Sequence, residues 1–345
     1  MKSKHILAIR FSAVGDAAIA VPVLRCLLQQ NKNLKVTVAT KSFLKPVFET
    51  VEGIEVVCAD IRGKHKGLNG LLKFYGEIKH RKFTAIADLH GSLRSNVLKA
   101  LFLFNGVPSK TIDKGRAEKR KLVAGKAFKP LKTTTERYAD VFRALGHKVD
   151  LSGDVFPPPQ QINAKTYSIV GKDTKKWIGI APFAFFDTKM YPLDLMEKVI
   201  AYLSRANNYR LILFGGIKEE AELKRLSETY QNTIFTFGKI SFEEEIKLIS
   251  NLDLMVSMDS GNAHLAAMQG VKVITLWGVT HPYAGFYPYK QPEGYGLLSN
   301  REKYPLIPTS VYGNKAPEGY AAVMRSIPPE KIIQKIEEVT KNQPS

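Results

Sequence analysis

The chain has 345 residues, 44% of them hydrophobic and 24% charged, a globular balance in a length that suits two domains. Two cysteines, Cys26 and Cys58, exclude a disulfide framework and a cysteine-built zinc site. The net charge of +19 is unevenly divided. Residues 1–160 hold 29 Lys and Arg against 13 Asp and Glu, and the remainder 22 against 19. Such asymmetry points to a polyanionic partner for the first half only.

The apolar stretch Ile6 to Phe11 is too short for an export signal and contains Arg10. No run reaches the length of about 18 apolar residues that a membrane span needs. A cytoplasmic protein is expected.

In chain order, Ile6 to Arg10 reads as a buried strand and Ala17 to Gln30 as a helix with an apolar face. Strands are expected at Lys35 to Thr40, Ile54 to Cys58 and Ala85 to Asp88, with helices at Leu68 to His80, Ser92 to Phe104 and Thr133 to Leu145. This alternation predicts a mostly parallel sheet covered by helices. The segment with Pro157-Pro158-Pro159 loses periodicity and reads as a linker. A second alternation follows, from a strand at Trp177 to Ala181 to another at Lys272 to Trp277, and Pro329 to Thr340 reads as a last helix, expected to return to the first domain. The expected domains are residues 1–155, a linker 156–176, residues 177–328, and a helix with tail at 329–345. Both domains read as Rossmann-like, facing each other across a cleft.

In parallel α/β sheets, ligands collect where strands end and helices begin. The first such loop, Phe11-Ser12-Ala13-Val14-Gly15-Asp16, has neither the GxGxxG fingerprint nor a P-loop ending. That counts against a dehydrogenase or a P-loop ATPase. Spacing favours Asp16 as a helix N-cap; the functional alternative is a general base. A later loop, Asp259-Ser260-Gly261-Asn262-Ala263-His264, starts a helix whose free N–H groups suit a diphosphate, or is an ordinary capped start. His264 has no second ligand at metal spacing, so no metal is expected. Thr188 and Lys189 precede Pro192 and a helix, where a hydroxyl and an ammonium suit phosphate oxygens. Behind Phe214-Gly215-Gly216, Glu220 is a candidate for ribose hydroxyls, although glutamate in a first turn commonly just complements the helix dipole.

In their order and spacing, these segments resemble the heptosyltransferase family of glycosyltransferases. The similarity runs through Ile9 to Asp16, Pro22 to Arg25, Lys189-Met190-Tyr191-Pro192-Leu193, Gly215-Gly216, Asp259 to Ala267 and Leu276 to Pro282. The resemblance implies a GT-B fold and inverting transfer from a nucleotide-sugar, expected to be ADP-linked heptose, with no cofactor and no required metal. It implies Asp16 as general base toward the acceptor. It places Thr188 and Lys189 on the donor diphosphate, Asp259, Ser260, Gly261 and His264 around the nucleotide-sugar, and Glu220 toward the ribose. The basic runs at Lys64 to Lys66, Lys79 to Lys82 and Arg116 to Lys121 then suit an anionic lipid-linked or lipopolysaccharide acceptor at the inner membrane face. No nucleic-acid-binding pattern appears. The competing readings are a nucleotide-sugar epimerase on the same fold and a non-catalytic basic protein that binds membranes or nucleic acid.

Overall fold

The computed structural model describes residues 4–153, 156–171 and 173–341, so the expected tail at 342–345 and parts of the expected linker lie outside the described residues. The chain divides into two compact units. One comprises Met1–Lys114 with Lys132–Val155, the other Gly115–Leu131 with Phe156–Ser345.

The first unit runs β1 (Lys4–Ile9), α1 (Val14–Gln30), β2 (Leu34–Thr40), α2 (Lys45–Glu49), β3 (Ile54–Cys58), α3 (Gly67–Ile78), β4 (Ala85–Asp88), α4 (Leu93–Leu103) and β5 (Ser109–Thr111). Next come α5 (Arg116–Val123), which belongs to the second unit, and α6 (Thr134–Arg143), which returns to the first. The sheet order is β3-β2-β1-β4-β5, with every pairing parallel. Ile6 to Ile9 are wholly buried, as a central strand covered on both faces requires. On one face α3 and α4 pack Leu71, Phe74, Ile78, Leu98 and Phe102 against Leu7, Ile9 and Ile86.

The second unit continues with α7 (Ala164–Val170), β6 (Lys176–Ala181), α8 (Leu193–Arg205), β7 (Tyr209–Leu213), α9 (Glu220–Thr229) and β8 (Thr233–Phe235). It is completed by α10 (Phe242–Ile249), β9 (Leu254–Met258), α11 (Gly261–Ala267), β10 (Lys272–Trp277), β11 (Gly296–Leu298) and α12 (Pro329–Lys341). Its sheet order is β11-β10-β9-β6-β7-β8, again all parallel.

Four features depart from expectation. The segment expected as a linker holds α7, capped by the Asn163 side chain, with Ile162 and Val170 buried. Seven helical residues are too few to show a clear period in the sequence. Residues 115–131 leave the first unit: Arg301 and the His281 and Tyr283 rings pack on Phe128, and Leu131 N–H donates to Tyr283 O at 3.0 Å. The last helix, expected on the first domain, packs on α8 of its own unit, burying Ile332, Ile336 and Val339. Finally, the strands β5 and β11 have three residues each and sit at sheet edges.

Candidate active site

In each sheet the winding direction reverses once, between β1 and β4 in the first unit and between β6 and β9 in the second. At such a switch point the two neighbouring loops diverge and leave a crevice at the carboxyl ends of the strands. Of the residues marked in the sequence, Asp16 stands at the first of these places and Thr188, Lys189, Asp259, Ser260, Gly261 and His264 at the second, while Glu220 follows β7 instead.

In the first unit the loop after β1 carries Arg10 and leads to Asp16 in the first turn of α1. Asp16 is the third helical residue rather than the N-cap, and its carboxylate accepts weakly from Ala13 N–H at 3.5 Å. The main partner is Arg10, buried to 6% exposure, whose guanidinium bonds the Asp16 carboxylate and donates to Leu89 O at 2.7 Å. Arg10 thereby ties the β1 loop to the β4 loop. The Asp16 side chain stays 31% exposed, so a reactant can reach it.

The β4 loop is built on Asp88, which is fully buried. One carboxylate oxygen accepts from His90 N–H at 3.0 Å and Gly91 N–H at 2.8 Å; the other faces Lys99 Nζ at 3.0 Å. This holds His90 against Phe11, with ring centroids 5.8 Å apart. Burial first, then the positive charges of Arg10 and Lys114, push the His90 imidazole down to about 4. It is neutral at physiological pH.

In the second unit, Lys189 closes a short 3₁₀ turn after β6, and its ammonium lies 2.9 Å from the Asp259 carboxylate after β9. The same Asp259 oxygen accepts from Thr280 Oγ1 at 2.9 Å, on the loop after β10. Three consecutive strand ends are thus joined through one carboxylate, with Lys189 and Asp259 side chains only 14% and 9% exposed. The Thr188 hydroxyl donates to Gly313 O, which seats the 310–315 loop beside the lysine. Glycine is required at 313: φ is +83°, and a Cβ there would fall 2.2 Å from Lys189 Cδ. Gly278 plays a similar part, since its Cβ would meet Thr188 O at 2.6 Å.

Ser260 is the N-cap of α11, yet its hydroxyl lies 3.0 Å from Ser257 Oγ and does not cap the helix. Gly261 opens that helix, and His264 is buried in it. Glu220 begins α9 after β7, exposed, with its carboxylate near Gly238 beyond β8. Its neighbour Glu219 is engaged, accepting from Gly216 N–H at 2.9 Å. Chemically, the Lys189 group offers a desolvated cation held by a fixed carboxylate, suited to an anion that develops charge. The Asp16 group offers an oriented carboxylate beside a neutral imidazole, suited to proton transfer.

Glu245 on α10 is an outlying acid near the same edge of the sheet, 3.4 Å from the Thr236 hydroxyl. Burial pushes its carboxyl up to about 7. Because the folded state holds this proton more tightly than the unfolded chain, its stabilising effect is full below the ordinary glutamate range. That effect is lost as pH rises through 7. Glu245→Gln should therefore flatten the stability profile between about pH 5 and about pH 8, and gain on the order of 2–3 kcal/mol at the alkaline end. Denaturant melts of both proteins at the two ends of that range check this; parallel profiles would refute it.

Sequence reading missed Arg10, Asp88, His90, Thr280 and Gly313. Asp88-Leu89-His90-Gly91 carries the same signal as the chosen loops: polar residues and a glycine directly behind a buried strand. The basic runs need correction as well. Arg116 to Lys121 lies on α5 in the second unit, and Lys119 there is buried, its ammonium 4.0 Å from the Phe286 ring centre. In the first unit His65 is buried against Phe74, Lys64 faces Glu77 at 3.3 Å, and Arg81 bonds Glu55. Those runs are partly spent on structure, so they are not three solvated patches of one domain.

A model of glycosyltransferase family 9 (heptosyltransferase) matches residues 71–307. The lipopolysaccharide core heptosyltransferase OpsX of Haemophilus influenzae is 23% identical over 289 residues, covering 81% of this chain and 80% of its own. A family 9 glycosyl transferase from Veillonella parvula has the same fold, with a TM-score of 0.77 at 20% identity over 99% of both chains. The E. coli heptosyltransferase WaaC with ADP gives 0.68 at 20% identity, over 97% of this chain and 99% of that one. The architecture is GT-B, with two Rossmann-like units. With the family model spanning more than half of its length, the chain belongs to glycosyltransferase family 9, the heptosyltransferases.

Proposed function

We propose that this glycosyltransferase moves a heptose from ADP-heptose to a lipopolysaccharide-core or other lipid-linked acceptor, with inversion and without a metal. The observation that carries the reading is the Lys189–Asp259–Thr280 group at the switch point of the second unit. Breaking the sugar–diphosphate bond builds negative charge on the leaving group, and Lys189 supplies the compensating charge that a divalent cation brings in other transferases. Asp259 and Thr280 position that lysine, Ser260 and Gly261 present backbone amides to the diphosphate, and Thr188 fixes the loop beside it. His264 lies behind that loop, and Glu220 receives the ribose. Asp16, oriented by Arg10, takes the proton from the acceptor hydroxyl as it attacks. The lysines and arginines of the first unit draw in a phosphorylated acceptor at the cytoplasmic face of the inner membrane. Among the described residues no helix is long and apolar enough to cross a membrane, which leaves peripheral contact as the mode proposed.

The choice of donor is tested by thermal shift with ADP-, GDP-, UDP- and CMP-linked sugars. At a hundredfold excess over Kd a cognate donor adds about 2.7 kcal/mol, so the ADP-linked sugar should raise the melting temperature by about 5 °C. A larger shift with another nucleotide would overturn the ADP assignment.

A further inference from the structure

The layer of α3 and α4 has an unusual outer surface. On a surface helix the side turned from the core is normally polar. Here α3 places Leu68, Leu72 and Tyr75 at one-turn spacing along one flank, with Leu68 61% and Leu72 43% exposed. On α4 the matching stripe is Leu93, Val97, Ala100 and Phe104 at the helix end, with Leu93 80% and Phe104 88% exposed and Leu103 beside them. The two helices pack side by side. Tyr75 and Phe102 rings lie 4.8 Å apart, and Asn105 Nδ2 donates to Tyr75 OH at 2.6 Å, joining the last turns of both helices. The opposite flank of α3 is closed by the loop that carries His65, whose backbone packs so near Gly70 that a Cβ there would meet it at 2.2 Å. The sides of α3 and α4 left open to solvent therefore include these apolar stripes. A patch of exposed leucines and phenylalanine, rimmed by polar groups, marks an interaction surface.

The charge of the same stretch says which partner fits. From Arg62 to Phe104 the chain carries nine Lys and Arg against two acids, Glu77 and Asp88. Asp88 is fully buried and Glu77 is already engaged by Lys64 and His65. Lys66, Lys73 and Arg94 are exposed and have no carboxylate partner among the described residues. A second copy of the chain placed face to face would set cation against cation. An anionic bilayer offers headgroups to the lysines and acyl chains to the leucines.

We propose that the α3–α4 face is the surface by which this protein docks on an anionic lipid bilayer, with Leu72, Leu93 and Phe104 entering the headgroup boundary. Leu93 starts the helix behind the His90 loop, so docking sets the β4 loop close to the lipid surface. The purpose of the docking rests on the lipid-linked acceptor proposed above; the docking itself does not. The test is flotation of the full chain with phosphatidylcholine vesicles, with and without phosphatidylglycerol. Wild type should float with the anionic vesicles and much less with the neutral ones. The double variant Leu72→Glu/Phe104→Glu should lose at least about tenfold in partitioning, and Lys66→Glu/Lys73→Glu about as much on anionic vesicles alone. Each substitution is at an exposed position, and unchanged melting and donor-induced thermal shift would verify the fold. Wild-type flotation by the variants, or no flotation by wild type, overturns the docking while leaving donor binding intact. So does a wild-type dimer, seen by sedimentation velocity, that Leu72→Glu/Phe104→Glu splits. Loss of donor binding with flotation retained would instead count against the proposed transferase reading.

Discussion

Asp16→Asn should lower glycosyl transfer by about 10² to 10⁴-fold while leaving donor binding nearly unchanged. The amide keeps the size of the carboxylate and an oxygen for Arg10 to bond, so the β1 and β4 loops stay tied through Leu89. What it loses is the ability to take a proton. Single-turnover transfer with saturating donor measures the chemical step, and the donor-induced melting shift measures binding. A companion change, Arg10→Met, removes the side chain that orients the carboxylate but leaves the base, so it should cost less in rate than Asp16→Asn. Should Asp16→Asn turn over at the wild-type rate, the carboxylate serves only to brace Arg10 and the start of α1.

The second large effect is expected at Lys189. Replacing it with Met should reduce turnover by about 10² to 10³-fold, the usual cost of losing one preorganised group that stabilises a developing anion. The change also strands the Asp259 carboxylate, whose side chain is 9% exposed and would keep the neutral Thr280 hydroxyl in place of a cation. A stability loss of about 3 kcal/mol is expected from that alone. The double variant Lys189→Met/Asp259→Asn separates the two effects, because it removes the stranded charge with the lysine. It should regain most of the melting temperature of wild type and none of the activity. If activity returned together with stability, Lys189 would be a structural partner of Asp259 and the leaving group would be stabilised elsewhere.

The elements that could be read from residues alone are those whose own side chains decide them. β1, β6 and β10 are runs of apolar residues buried on both faces, and they stand within a residue or two of expectation. The helices α8 and α12 repeat apolar residues at one-turn spacing and carry clear starts at Pro192 and Pro329. β5 and β11 were not legible, because three residues at a sheet edge draw their order from the strand beside them. The same holds for α5, whose place in the second unit rests on Phe286, far along the chain, taking up the Lys119 ammonium.

The sequence by itself determined two things here: alternating apolar strands and amphipathic helices, and polar, glycine-bearing loops at the strand ends. That was enough to single out Asp16, Lys189, Asp259 and Glu220, since residue type and position behind a strand are local properties. Only the tertiary structure decided which of these meet. Lys189 finds Asp259 and Thr280 because parallel pairing sets β6, β9 and β10 side by side with their carboxyl ends together. Arg10 reaches Asp16 and Leu89 because β1 lies next to β4. The exposure of Leu72 and Phe104 was likewise settled by packing, since a leucine in a helix has the same local propensity whether it turns toward the core or toward a lipid surface.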